Sequence, residues 1–150
     1  MLAVTTPVAA TYPRHGAAMT IHIRQNALQG LQFTATANDH DLPIDMPPPQ
    51  GDGPDPHDFF DTALGACKAL TVTLYAQRKG IPLLSIDVDV QRDDADEKKG
   101  VYRLKAVLKL TGELTDEQRE ELLSVAGRCP IHKLMTQTDV QVSTELAAAA

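Results

Sequence analysis

Tryptophan is absent from this 150-residue sequence, and three phenylalanines and three tyrosines are its only aromatic residues. So few flat rings exclude a stacking platform for nucleic-acid bases. Lysine and arginine never gather in clusters of more than three, and the net charge is −6. A surface that neutralises phosphates needs the opposite balance, so no nucleic-acid partner is expected. Also missing is any run of the roughly 18 apolar residues that a membrane span requires. The N-terminal residues lack both the basic start and the apolar core of a secretory signal. Cysteine is scarce, at two. Without an export signal the expected compartment is the reducing cytoplasm, where a structural disulfide is disfavoured.

What remains suits one domain, residues 1–150, long enough for a real core. Residues 1–16 are expected to form a poorly ordered arm or a short edge strand, and 145–150 a tail. The strongest signal is a long helix over residues 56–80. Asp55 supplies the N-cap, Pro56 suits the first helical position, and Asp58 falls where a carboxylate bonds the free amides. Arg78 and Lys79 fill the last turn, and Gly80 follows as a stop. Phe59, Phe60, Ala63, Leu64, Ala66, Leu70, Val72, Leu74 and Tyr75 make it apolar almost all round, so burial on most of its circumference is expected. Cys67 sits in its middle.

Elsewhere the chain alternates. Residues 19–24 and 31–35 read as one hairpin and residues 84–92 and 101–110 as a second, with Ile86, Val88 and Val90 inward. Between the first hairpin and the helix, residues 37–55 are rich in Pro, Gly and Asp and read as a long loop that shapes a site near the helix start. Thr115 to Gln118 forms a capping box for a second helix ending near Arg128, whose apolar stripe of Leu122 and Ala126 extends to Cys129. Pro130 is expected to break that helix, and 138–144 to add a final strand with Val140 and Val142 inward. Hairpins with interposed helices make an α+β fold with antiparallel sheets packed around the cysteine helix.

Each cysteine alone reads as a small core hydrophobe, and Asp58 as a helix cap. The pair invites more, because Gly-Ala-Cys-Lys and Arg-Cys-Pro-Ile-His are unusual settings. Pro56-His57-Asp58, Ala63-Leu64-Gly65-Ala66-Cys67, Lys79-Gly80, Asp116-Glu117-Gln118-Arg119 and Cys129-Pro130-Ile131-His132-Lys133 stand in fixed order. With them the chain resembles the OsmC/Ohr family, the osmotically inducible and organic-hydroperoxide-resistance proteins. The resemblance implies an intertwined homodimer with cysteine helices buried between two sheets. It also implies a thiol peroxidase site with Cys67 as peroxidatic thiolate, Cys129 as resolving thiol and Asp58 at the family's glutamate position.

The chemistry is then attack of a thiolate on an O–O bond, condensation of the sulfenic acid with the second thiol, and exchange with a dithiol reductant. Phe59, Phe60 and Leu64 would wall a site for an organic hydroperoxide. The family's arginine ahead of the helix has no counterpart, since no Arg or Lys lies between Arg24 and Lys68. His40, His57, Arg24, Arg103 and Arg128 are the candidates to replace it. No cofactor is expected, and no metal, since Cys129 with His132 falls short of the three or four ligands zinc needs. A non-catalytic dimer that binds a small hydrophobic ligand, or acts as a thiol redox sensor, is the alternative.

Overall fold

The computed structural model describes residues 20–148. The expected N-terminal arm and the last two residues of the tail lie outside them. The elements run β1 (His22–Gln25), β2 (Phe33–Ala37), β3 (His40–Ile44), α1 (Pro56–Lys79), β4 (Leu83–Asp93), β5 (Arg103–Gly112), α2 (Asp116–Ala126) and α3 (Pro130–Gln137). Two antiparallel sheets result, β1-β2-β3 and β4-β5. The α+β reading holds. No helix is long and apolar enough to cross a membrane among the described residues.

Both helix-start signals work as expected. At α1 the Asp55 side chain accepts from the Asp58 N–H and the Asp58 side chain accepts from the Asp55 N–H, a reciprocal box that satisfies two free amides. Gly80 closes the helix at φ 66°, a left-handed conformation that a side chain would oppose. Thr115 and Gln118 repeat the box at α2. Along β4 and β5 the alternation is as expected, with Ile86, Val88 and Val90 turned inward opposite Leu108, Ala106 and neighbouring residues of β5.

Against that inward face lie the helices. Val72 and Ala76 of α1 meet Leu122, Val125 and Ala126 of α2 in the buried core, backed by Ile86, Leu108 and Leu110 of the sheet. Gly65 lets α1 settle on β4. A methyl group added there would stand 2.9 Å from the Val90 side chain.

Three expectations need correction. Residues 37–55 are not all loop, because β3 pairs with β2 from Phe33↔Ile44 to Ala37↔His40. Asn38 and Asp39 take φ 48° and 65°, which makes a tight two-residue hairpin turn. Pro43 masks the strand in the sequence but is tolerated on a sheet edge. Pro130 does end the α2 stretch, yet it also opens α3, where a missing N–H costs nothing. Residues 138–148 form no strand, and Val140 and Val142 are 59% and 84% exposed. That segment pairs with no strand among the described residues.

Within the single chain, α1 is covered on one side. Its buried residues form one stripe, Asp61, Leu64, Gly65, Lys68, Val72 and Ala76, while Leu70 and Leu74 stay 60% and 57% exposed. One sheet and two short helices cover only one side of it.

The seam between α1 and α2 should dominate stability. Leu122 is fully buried, so Leu122→Ala should cost about 3 kcal/mol by lost burial and the cavity left behind. Urea denaturation measures it.

Candidate active site

Two groups of polar side chains are built on α1. The first gathers the cysteines. Cys67 is half-buried in α1, and Cys129 is fully buried as the N-cap of α3. Sixty-two positions separate them in sequence (129 − 67), yet Cys67 lies close enough to act on the Cys129 thiol. Burial pushes that thiol up; the His132 N–H, donating to Sγ at 3.4 Å, opposes the shift, Cys67 adds to it, and Lys68 opposes it. Lys68 is itself buried and donates from Nζ to the Ala126 carbonyl at 2.9 Å. That carbonyl belongs to the last turn of α2, where carbonyls lack helical partners and the helix end is partially negative.

The second group begins at Asp58. Arg92, at the far end of β4, donates from Nη2 to Asp58 Oδ1 at 2.8 Å and from Nε to Asp61 Oδ2 at 2.6 Å. The Tyr102 hydroxyl, one residue before β5, donates to Asp61 Oδ1 at 3.0 Å. Burial first, and the Asp61 bond second, push the Tyr102 hydroxyl up to about 12. Asp61 and Asp58 hold the Arg92 guanidinium firmly charged. Asp58 is thus a helix cap and an arginine partner together.

The cation on Asp58 is none of the five proposed from sequence. His57 bonds Glu97 at 3.0 Å, and Arg103 reaches Asp93 and Asp96. Arg24 and His40 stand on exposed strands, and Arg128 is exposed beside Cys129. The signals for Arg92 and Asp61 are visible in retrospect. Arg92 shares the inward parity of Ile86, Val88 and Val90, and Asp61 follows Asp58 at the three-residue spacing of one helix face.

Asp58 and Cys67 do not share that face. Nine residues (67 − 58) turn an α-helix by about 900°, which leaves them on opposite sides. Cys67 instead continues the stripe of Phe60 and Leu64. Those two line a groove of about 770 Å³ with Tyr102, Leu104 and Met135 as apolar walls and His57, Glu97, Arg103 and His132 as polar ones. Phe60 meets Tyr102 edge-on at 5.9 Å. Phe59, expected in the wall, does not line it. The groove mixes broad apolar walls with a few polar groups, as small-molecule sites do. Among the described residues no three His, Cys, Asp or Glu side chains converge as metal ligands would.

The chain that carries this groove has counterparts among known proteins. A family profile described as OsmC-like protein matches residues 49–145. The chain belongs to the OsmC-like family. An OsmC-like protein from Mycoplasma pneumoniae superposes with a TM-score of 0.67 at 20% identity, over 81% of this chain and 89% of that one. An osmotic stress induced and detoxification response protein from Psychrobacter arcticus 273-4 gives 0.66 at 20% identity, over 83% and 93%. The organic hydroperoxide resistance protein OhrB of Bacillus subtilis gives 0.56 at 22%, over 81% and 92%. At these identities the likeness is one of fold. No curated protein sequence matches the chain.

The Asp58 pairings set a pH dependence. The Asp55 N–H, and after it Arg92, hold the Asp58 carboxyl below the usual carboxylate range. A lowered folded value contributes stability above the unfolded value of about 3.9, and loses it as pH falls through the folded one. Asp58→Asn should therefore be less stable than the parent at neutral pH, and the two should converge below about pH 4. Thermal unfolding across pH reads this out, and a gap that persists in acid would contradict it.

Proposed function

We propose that this OsmC-like protein is a thiol-dependent peroxidase that reduces organic hydroperoxides through Cys67 and Cys129. The carrying observation is that the only two cysteines of the sequence come together on α1 and α3, the helices whose Phe60, Leu64 and Met135 line an apolar groove. Cys67, the more accessible thiol, attacks the hydroperoxide. The S–O bond forms as the O–O bond breaks, and the alcohol leaves with a proton. Cys129 then attacks the Cys67 sulfenic acid, forming the disulfide and releasing water, and a dithiol reductant restores both thiols. The apolar walls favour an organic hydroperoxide over hydrogen peroxide. Free thiols of this kind suit a reducing cytoplasm. Asp58 positions Arg92 rather than meeting the Cys67 sulfur directly.

The working unit is a homodimer. Leu70 and Leu74 leave one side of α1 uncovered, β1 is exposed throughout, and 138–148 has no partner strand. A second copy supplies cover for all three at once. Light scattering should return twice the 16.2 kDa chain mass at micromolar concentration. A folded monomer would overturn the dimer.

One observation favours a second reading, a non-catalytic dimer that binds a hydrophobic ligand or senses redox state: the Asp58–Arg92 pair faces away from Cys67. Cumene hydroperoxide with a dithiol separates the two. The parent protein should consume it, Cys129→Ser should stall at sulfenic acid, and Cys67→Ser should be inert. No consumption by the parent would favour the second reading.

A further inference from the structure

Tyr102 is the one member of the Asp58–Arg92–Asp61 network that reaches the groove. Its ring lines that groove, whereas Asp58, Asp61 and Arg92 open onto a separate hollow of about 650 Å³ with Gly65 and Val90. The Tyr102 ring stands edge-on to Phe60 at 5.9 Å, and 6.0 Å from the His57 ring at a tilt of 31°. Phe60, Tyr102 and His57 thus form one continuous aromatic wall at the start of α1.

The backbone does not fix that ring. Tyr102 lies one residue before β5, just past the last ladder pair at Asp93↔Arg103, and two residues after Gly100 at φ 84°. What holds it is the hydroxyl. It donates to Asp61 Oδ1 at 3.0 Å, and Arg92 Nε occupies Asp61 Oδ2 at 2.6 Å. Asp61 is buried, so a swing of Tyr102 toward solvent would leave a buried carboxylate oxygen without its partner. Pushed up to about 12, the hydroxyl stays a donor throughout the neutral range. Arg92 is in turn fixed by Asp58 Oδ1, and Asp58 Oδ2 accepts from the Asp55 N–H at the helix cap. The bonds run unbroken from the cap of α1 to the groove wall.

We propose that Asp61 and Arg92 are positioning residues for the groove: they hold Tyr102 as a rigid wall and thereby favour a bulky apolar ligand. A wall already in place spares the ligand the cost of ordering it, so affinity rises without any new contact. Because Asp61 and Arg92 do not line the groove, their effect on a ligand there passes through Tyr102. That the ligand is a hydroperoxide rests on the peroxidase reading; the anchored wall does not. On that reading, the Asp58–Arg92 pair serves capture of the organic group rather than ionisation of the Cys67 sulfur.

The test is a double-mutant cycle on binding of cumyl alcohol, an uncharged aromatic alcohol that cannot oxidise the thiols. Isothermal titration calorimetry measures it. Tyr102→Phe keeps the ring and loses the anchor, and Asp61→Ala removes the acceptor. Each should weaken binding about fivefold, the cost of re-ordering one loosened side chain. The double variant should bind no more weakly than Tyr102→Phe alone, since the two residues act as one unit. Circular dichroism checks each fold first. Should Asp61→Ala fail to fold, Asp61→Asn serves, since it keeps the shape and weakens both bonds. Losses that multiply in the double variant, no loss in Tyr102→Phe, or a parent that binds no cumyl alcohol overturn the proposal, even in a protein that consumes hydroperoxide. Coupled losses in a protein that consumes none uphold the wall and sink the peroxidase reading alone.

Discussion

The apolar seam between α1 and α2 is the constraint on which the site depends. Val72 and Ala76 on one side and Leu122, Val125 and Ala126 on the other exclude water completely or nearly so. Packed interiors tolerate little displacement, so the seam fixes the axial position of α2 against α1. The end of α2 is then set, and with it the short turn that leads to Cys129. Neither cysteine is held by a covalent link in the reduced protein. Their meeting is a by-product of close packing one turn away.

Electrostatics divide along the same helix. On the sheet side, Asp58 and Asp61 hold Arg92 between them, with Tyr102 completing the acceptor of Asp61. This ties the start of α1 to the far end of β4 and sets two carboxylates near a helix N-terminus, where negative charge is favoured. Two turns further along the same buried stripe, Lys68 crosses to the last turn of α2. One arginine thus organises the helix entrance, and one lysine ties the middle of α1 to the end of α2.

Much of this was legible in the sequence. Caps at Asp55, Asp58, Thr115 and Gln118 act over three residues, and a local chemical rule reads them correctly. Alternation found β4 and β5 because one face is covered and the other wet. Strand β3 escaped notice because Pro43 and the Asn38-Asp39 turn look like loop residues until their pairing partner is known. The helix α3 was missed because proline ends one helix and starts another with equal ease. Motif spacing brought Cys67, Cys129 and Asp58 into view, whereas Arg92 depends on which strand lies over the start of α1. That is tertiary information, carried only faintly by strand parity. Lys68 was read past for a similar reason, since a charge next to a cysteine announces itself only once its burial is known.

Gly65 has a mechanical consequence beyond packing. It sits two residues before Cys67, at the place where α1 rests on β4 with no room for a methyl group beside Val90. A disulfide tolerates only a narrow range of Cβ separations, about 3.5–4.5 Å. The hydrogen atom on that glycine therefore acts as a spacer gauge for the thiols. Any larger group would lift the helix from the sheet by a sizeable share of that tolerance, and would detune the reach between Cys67 and Cys129 without touching either sulfur.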